Sequence, residues 1–317
     1  MTGRATIGIV GAGLMGHGIA QVFARAGHRV RVYDAAPAAL DVLGSRIAAN
    51  LAALDEPADC VDLVTGHADL AEAVGDADVV FEAAPEKIDL KRAIFADLVR
   101  LAPARALIAS NTSVIPIGTI VEGLPSRHRL LGTHWWNPPF LVPLVEVVGT
   151  PETAPAAIAA MIALLTAVGK TPVHVRKDVA GFVGNRLQHA LWREAIALVE
   201  QGICDAETVD TVVKASFGRR LAVLGPLENA DLVGTDLTLD IHRTVIPHLD
   251  RTAGPSAYLE SLVSTGKLGM KTGAGFRAWT QEEAQDLRMR VFQHLKSLND
   301  AGTSLGGDHG RDDTPDG

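Results

Sequence analysis

Cysteine is nearly absent: only Cys60 and Cys204 occur in 317 residues. Two thiols supply neither a disulfide framework nor a cysteine-rich metal site, and the expectation is a reducing compartment. Excess positive charge is lacking too. The formal net charge is −8, which argues against a general binder of nucleic acid or of anionic membranes. No uncharged apolar run approaches the roughly 20 residues needed to cross a bilayer. The opening residues, MTGRATIGIVGAG, lack the basic start, apolar middle and small-residue cleavage site of a secretory signal. These absences predict a soluble, cytoplasmic protein. The length predicts two domains, since single cores stop growing at about 250–300 residues.

What is present begins at once. Thr6–Val10 is a short apolar β-branched run, followed by Gly11-Ala12-Gly13-Leu14-Met15-Gly16. A helical pattern follows, with Ile19, Val22, Phe23 and Ala26 on one face and Gly27 closing it. Arg29–Tyr33 reads as a second strand ending at Asp34. Strand, GxGxxG, helix, strand and acid in that order describe a dinucleotide-binding unit. In it Gly11 permits a tight turn, Gly13 lets the backbone approach a pyrophosphate, and Gly16 allows close packing. The helix N-terminus then faces the phosphate charge. Asp34 is placed to bind both ribose hydroxyls and to repel the extra phosphate of NADP. The alternative is a glycine-rich turn with Asp34 merely beginning the next helix.

Helices and strands then alternate: a helix over Pro37–Leu54, a strand over Asp78–Phe81, a helix over Glu86–Leu101 and a strand over Ala106–Ala109. Alternation implies a parallel sheet with crossover helices. The last of these strands runs into Ser110-Asn111-Thr112-Ser113. Polar side chains at the carboxyl end of a parallel strand lie where ligands bind, so Asn111 and Ser113 are candidates to meet a substrate or the nicotinamide ribose. Helix capping or a polar turn before Pro116 would explain them as well.

Leu130–Val148 reads LLGTHWWNPPFLVPLVEVV. Two β-type segments, Arg129–Thr133 and Val142–Val148, flank a turn built on Asn137, Pro138 and Pro139. The turn would fold His134 towards Glu146. A carboxylate on one imidazole nitrogen fixes the tautomer and leaves the other nitrogen free to take a proton. A structural histidine and a strand-end charge facing water would read the same way.

A helix over Pro151–Val168 and a strand over Thr171–Val175 end the alternation. Beyond Lys177-Asp178 come a long helix over Val179–Gln201 and another over Asp205–Ser216, with Asp205 as N-cap. The predicted class is therefore α/β, a Rossmann-like doubly wound sheet followed by an all-helical second domain. The expected boundaries are 1–177 for the dinucleotide-binding domain, 178–299 for the helical domain and 300–317 for a polar, acidic, disordered tail.

With these blocks in hand, the chain resembles the L-3-hydroxyacyl-CoA dehydrogenase superfamily over essentially its whole length. GAGLMG, FEAAPEKIDLK, SNTS, GTHWWNPP, PLVEVV, KDVAGFVGNR and GKLGMKTGAGF stand in that superfamily's order. The resemblance implies NAD-dependent interconversion of an S-3-hydroxy and a 3-keto group, and a homodimer formed through the second domain. It makes His134 the general base and Glu146 its partner, with Ser113 and Asn185 holding the substrate's oxygens. It makes Glu86, Lys91 and Asn111 cofactor contacts beside Gly11, Gly13, Leu14, Met15, Gly16 and Asp34.

Two departures point away from a CoA thioester and towards a small free acid. Ala48–Asp62 carries Asp55, Glu56, Asp59 and Asp62 with no lysine or arginine, an unwelcoming surface for adenosine phosphates. In addition, Gly218-Arg219-Arg220-Leu221-Ala222-Val223-Leu224-Gly225-Pro226 and HWWNPP are similar to the branch holding lambda-crystallin (an L-gulonate dehydrogenase), carnitine dehydrogenase and a pyridine-carboxylate dehydrogenase. Arg220 is then the candidate carboxylate anchor, since its planar fork suits that group. A solvated charge pair is the other reading of Arg219-Arg220. Short-chain L-3-hydroxyacyl-CoA dehydrogenation is the alternative reaction. A non-catalytic, crystallin-like dinucleotide binder is the alternative of another class.

Overall fold

The apolar runs become strands of one sheet: β1 (Thr6–Val10), β2 (Arg29–Tyr33), β3 (Val64–His67), β4 (Val79–Glu82), β5 (Leu107–Ser110), β6 (Leu130–Trp135), β7 (Leu144–Gly149) and β8 (Thr171–Val175). Their spatial order is β3-β2-β1-β4-β5-β6-β7-β8. Neighbours run parallel except β6 and β7, which the proline-rich turn makes antiparallel. The computed structural model describes residues 3–305, with side chains as far as Asn299. Of the tail expected over 300–317, the residues up to Leu305 continue the helix Gln281–Leu305, and the rest lies outside the described residues.

Alternate side chains of each central strand enter opposite layers. Val79 and Phe81 join the core under helix Leu14–Arg25, whereas Val80 joins the core under helix Ile88–Leu101. Both layers need covering because β4 and β5 are buried along their whole length. β3 was not anticipated. Its sequence is VTGH and its burial only partial, as befits an edge strand, so no apolar run announces it.

The helices differ from the sequence reading at their ends. Ile19, Val22 and Phe23 are buried as expected, but Ala26 is exposed beyond the last turn at Arg25. The predicted Pro37–Leu54 helix is two, Pro37–Asp41 and Leu43–Ala53, separated at Val42 where φ is −100° and ψ 1°. The predicted Val179–Gln201 helix starts only at Gly184. Before it the chain turns through Gly181 and Phe182, whose φ angles are +74° and +48°.

The chain divides into two compact units: residues up to Arg186 together with the segment from His294, and Leu187–Gln293. The second is helical, with no strand among the described residues and only isolated bridges joining Gly269, Ala274 and Ala278. Asp205 caps helix Ala206–Ala215 by accepting from the Thr208 N–H at 2.7 Å. Among the described residues no helix is long and apolar enough to cross a membrane.

Candidate active site

β1 lies between β2 and β4, so the chain leaves it to opposite sides and opens a crevice at its carboxyl end. The glycine-rich loop fills that position. Gly11 has φ +104°, and a Cβ there would stand 2.8 Å from the Ala83 carbonyl oxygen. A Cβ on Gly16 would stand 1.7 Å from the Gly11 carbonyl oxygen, so only glycine lets the helix start this close to β1. Above Gly13 a Cβ would meet nothing within 4 Å. That open space over a helix N-terminus fits a pyrophosphate. Leu14 is 63% exposed at the rim, and Met15 packs against the core. Asp34, at the end of β2, accepts from Ala12 N–H at 2.7 Å and from Ala36 N–H at 2.8 Å. Its carboxylate braces the loop and the turn after β2, while the next helix begins only at Pro37 with Ala36 as its N-cap.

β4 and β5 end in a buried polar network that the sequence reading largely missed. Glu82 and Lys91 are fully buried, with the ammonium 2.9 and 3.0 Å from the two carboxylate oxygens. Ser110 Oγ donates to Glu82 at 2.6 Å, and Lys91 also donates to the Ala84 carbonyl. Lys91 thus lies beneath the loop after β4, 3.4 Å from Glu86 Oε2. Glu86 Oε1 accepts from Thr112 Oγ1 at 2.6 Å and from the N–H groups of Ser113 and Val114 at 2.9 and 3.1 Å. Burial alone would raise the Glu86 pKa. Those donors and the Lys91 charge outweigh it and hold the carboxyl below its ordinary range. A strand ending in an acid, nine residues before a lysine on the following helix, was the available signal.

The antiparallel register pairs His134 of β6 directly with Glu146 of β7. Cross-strand partners share a face of the sheet, so the two side chains meet. His134 Nδ1 lies 2.7 Å from Glu146 Oε2, and both residues are buried. Glu146 Oε1 accepts from the N–H groups of Val183 and Gly184 at 2.9 and 3.0 Å. These are donors at the opening of helix Gly184–Glu200, presented by the left-handed turn at Gly181 and Phe182. Burial would raise the Glu146 pKa, but the His134 hydrogen bond, the two N–H groups and the His134 charge together lower it. A carboxylate that stays ionised obliges Nδ1 to carry a proton, leaving Nε2 as the basic nitrogen.

Aromatic rings wall the pair. Trp136 and Phe182 have centroids 5.2 and 5.8 Å from the His134 ring. Gly184 carries Trp136 so closely that a Cβ would stand 2.4 Å from the indole. Trp135 points the other way, edge-on to Phe23 and Phe81 in the core. One tryptophan therefore shapes the site and the other packs.

Asn185 Nδ2 donates to the Ser113 main-chain carbonyl at 2.8 Å, so those two residues lie together. Ser113 is exposed at the carboxyl end of β5. Asn111 is buried, and its Oδ1 accepts from Trp135 N–H at 2.9 Å. Arg220 belongs to the second unit, where it is exposed and has no ion-pair partner among the described residues. The acidic segment is less anionic than its sequence: Lys296 pairs with Asp55 at 2.6 Å and Arg25 pairs with Glu56. Both cations come from distant helices, which local reading does not reach.

The family model described as 3-hydroxyacyl-CoA dehydrogenase, NAD binding domain, matches residues 6–179, and that of the corresponding C-terminal domain matches 181–279. The chain is 36% identical over 297 residues to 5-formyl-3-hydroxy-2-methylpyridine 4-carboxylate 5-dehydrogenase of Mesorhizobium japonicum, covering 92% of this chain and 96% of the relative. It is 38% identical over 262 residues to L-carnitine dehydrogenase of Streptomyces griseus, covering 77% and 78%. A solved structure of a 5-formyl-3-hydroxy-2-methylpyridine 4-carboxylic acid 5-dehydrogenase, described as an NAD+ dependent dismutase, superposes with a TM-score of 0.87. It covers 94% of this chain and 98% of that one at 33% identity.

Proposed function

The chain belongs to the 3-hydroxyacyl-CoA dehydrogenase family, and we propose that within it the protein oxidises a small free hydroxy acid rather than a CoA thioester. It is an NAD-dependent oxidoreductase acting on a CH–OH group. The observation that carries the catalytic reading is the buried His134–Glu146 pair, held by two main-chain donors at a helix start.

When bound, NAD supplies the hydride acceptor. The open space over Gly13, the N-terminus of helix Leu14–Arg25 and Asp34 would hold it, and the Asp34 charge would select against a 2′-phosphate. Glu86 and Asn111 would contact it, and Lys91 would act from beneath by fixing Glu86. His134 Nε2 removes the hydroxyl proton of the substrate, and Glu146 stabilises the imidazolium that results. In the reverse direction His134 returns that proton to the carbonyl oxygen. Ser113 Oγ and the remaining Asn185 N–H donate to the substrate oxygens, favouring the charge that grows there.

Arg220 is the proposed anchor of the substrate carboxylate, an unpaired guanidinium suited to bidentate binding. The names of the two free-acid relatives support this class of substrate, as do Asp59 and Asp62, which have no ion-pair partner among the described residues. We also infer a homodimer through the second unit, where Val223, Leu227 and Leu232 are 88, 79 and 74% exposed. The free thiols of Cys60 and Cys204 support a cytoplasmic setting.

The test is NADH formation by purified protein with two panels, free 3-hydroxy acids (carnitine and sugar acids included) and their CoA thioesters. Turnover of free acids, with Arg220→Ala raising KM about tenfold or more at nearly unchanged kcat, is the expected result. Efficient turnover of thioesters alone would overturn it.

A further inference from the structure

Between His134 and Glu146 the chain makes the turn 136–143, and three of its carbonyl groups, those of Pro139, Leu141 and Val142, are taken by side chains from elsewhere. Lys170 Nζ donates to the carbonyls of Pro139 and of Val142, the latter at 3.0 Å. Asn299 Nδ2 donates to the Leu141 carbonyl at 2.9 Å. The same ammonium sits 5.7 Å from the ring centroid of Trp135, the residue next to His134. The turn also rests on the cofactor-binding helix, since a Cβ on Gly18 would stand 2.9 Å from Pro139 Cδ. One lysine therefore grips the segment that joins the base, its carboxylate and the helix that starts at the glycine-rich loop.

We propose that Lys170 is a positioning residue for the reaction, its ammonium pinning the 136–143 turn so that His134 and Glu146 keep their register against the cofactor helix. This rests on the assignment of His134 and Glu146 above. Among the described residues the pin has no carboxylate of its own. It lines a cavity of about 830 Å³ whose other charged residues are Arg25, Glu56 and Lys296. Arg25 is paired with Glu56 and Lys296 with Asp55, so neither acid neutralises Lys170.

Burial, reinforced by the Arg25 charge, lowers the Lys170 pKa to about 8. The two charge-assisted hydrogen bonds consequently weaken within the range in which dehydrogenases work. Stability moves the opposite way. The folded-state pKa lies below the ordinary lysine value, so above about pH 8 the unfolded chain binds more protons and this group's contribution to stability rises with pH. An alkaline loss of turnover arising at Lys170 is thus not a loss of fold.

The experiment is steady-state kinetics from pH 6.5 to 10 on the full chain, with the best free acid of the panel. It compares wild type, Lys170→Met, Lys170→Arg and His134→Gln, with NADH affinity measured by fluorescence. Lys170→Met is expected to lower kcat roughly ten- to hundredfold, with KM and NADH affinity nearly unchanged, because it misplaces reacting groups without touching either ligand. The wild-type fall in kcat above about pH 8 should vanish in Lys170→Met. Lys170→Arg should restore most of kcat and move the fall to higher pH, since guanidinium keeps its charge. Near-wild-type kcat in Lys170→Met, or an unmoved alkaline fall in Lys170→Arg, would overturn the proposal. Should the methionine variant not fold, the arginine profile alone decides. Turnover retained by His134→Gln would instead remove the reading beneath it, whatever Lys170 does.

Discussion

Replacing Glu146 by glutamine exposes the logic of the site, because the amide cannot satisfy all its neighbours. Glu146 Oε1 now accepts from Val183 and Gly184 N–H, and Oε2 faces His134 Nδ1. A glutamine that keeps its oxygen on the two N–H groups turns its NH₂ towards His134. Nδ1 must then accept, which puts the ring proton on Nε2, the nitrogen needed as base. Flipping the amide restores the tautomer but sets an NH₂ against two buried donors. Such a buried amide swap at a histidine's partner costs about 10³–10⁴ in kcat, or roughly 4–5.5 kcal/mol of barrier. The assay is NADH formation with the preferred acid, beside NADH affinity, which should hardly change because the role proposed for Glu146 concerns the proton and not the cofactor. Retention of about a tenth or more of wild-type kcat would refute the argument.

Lys91→Met should destabilise the fold by about 3–5 kcal/mol in urea titrations, because it strands Glu82 buried and unpaired. A Glu82→Gln/Lys91→Met double variant should cost less than the single change. Asp34→Asn should raise KM for NAD and shift the NADP-to-NAD preference about tenfold, by removing the charge that repels a 2′-phosphate; initial rates with both cofactors check it. Glu86 and Glu146 both have folded-state pKa values below the ordinary carboxylate range. Their stabilisation is therefore present above that range and lost as pH falls through the folded values. Urea midpoints should drop on acidification, and Glu86→Gln should flatten that dependence.

The parts of the site written in contiguous sequence were legible. GAGLMG followed by a helix, a strand and Asp34 is a local signal, since every role in it is played within one strand–helix–strand unit. His134 and Glu146 were legible because only a hairpin turn separates them, and antiparallel pairing turns that spacing into contact. Support drawn from far along the chain was not. Glu82 looks like the end of an apolar strand until Lys91 is folded back on it, and the N–H groups of Val183 and Gly184 have no side-chain signature. Lys170, one residue before the Thr171–Val175 strand, was not singled out at all. Arg25 and Lys296 reach an acidic segment that looks bare of cations when read alone. Edge strand β3 was missed because partial burial leaves no hydrophobic run to read.

The two acids at the carboxyl edge of the sheet share one physical device. Glu146 is buried and Glu86 stands partly in water, yet both are held ionised by main-chain N–H groups, from residues 183–184 in one case and 113–114 in the other. In both, the donors belong to segments that also carry ligand-facing candidates, Ser113 and Asn185. Those two segments are tied to each other by the Asn185–Ser113 hydrogen bond. Fixing the charges therefore also fixes these two candidate groups. The orientation of Ser113, Asn185 and His134 does not wait for substrate, and binding energy need not be spent on assembling them. A site built this way should tolerate changes in its apolar wall better than changes in its carboxylates. Trp136 alters the shape of what enters, whereas Glu86 and Glu146 determine whether the machinery stands at all.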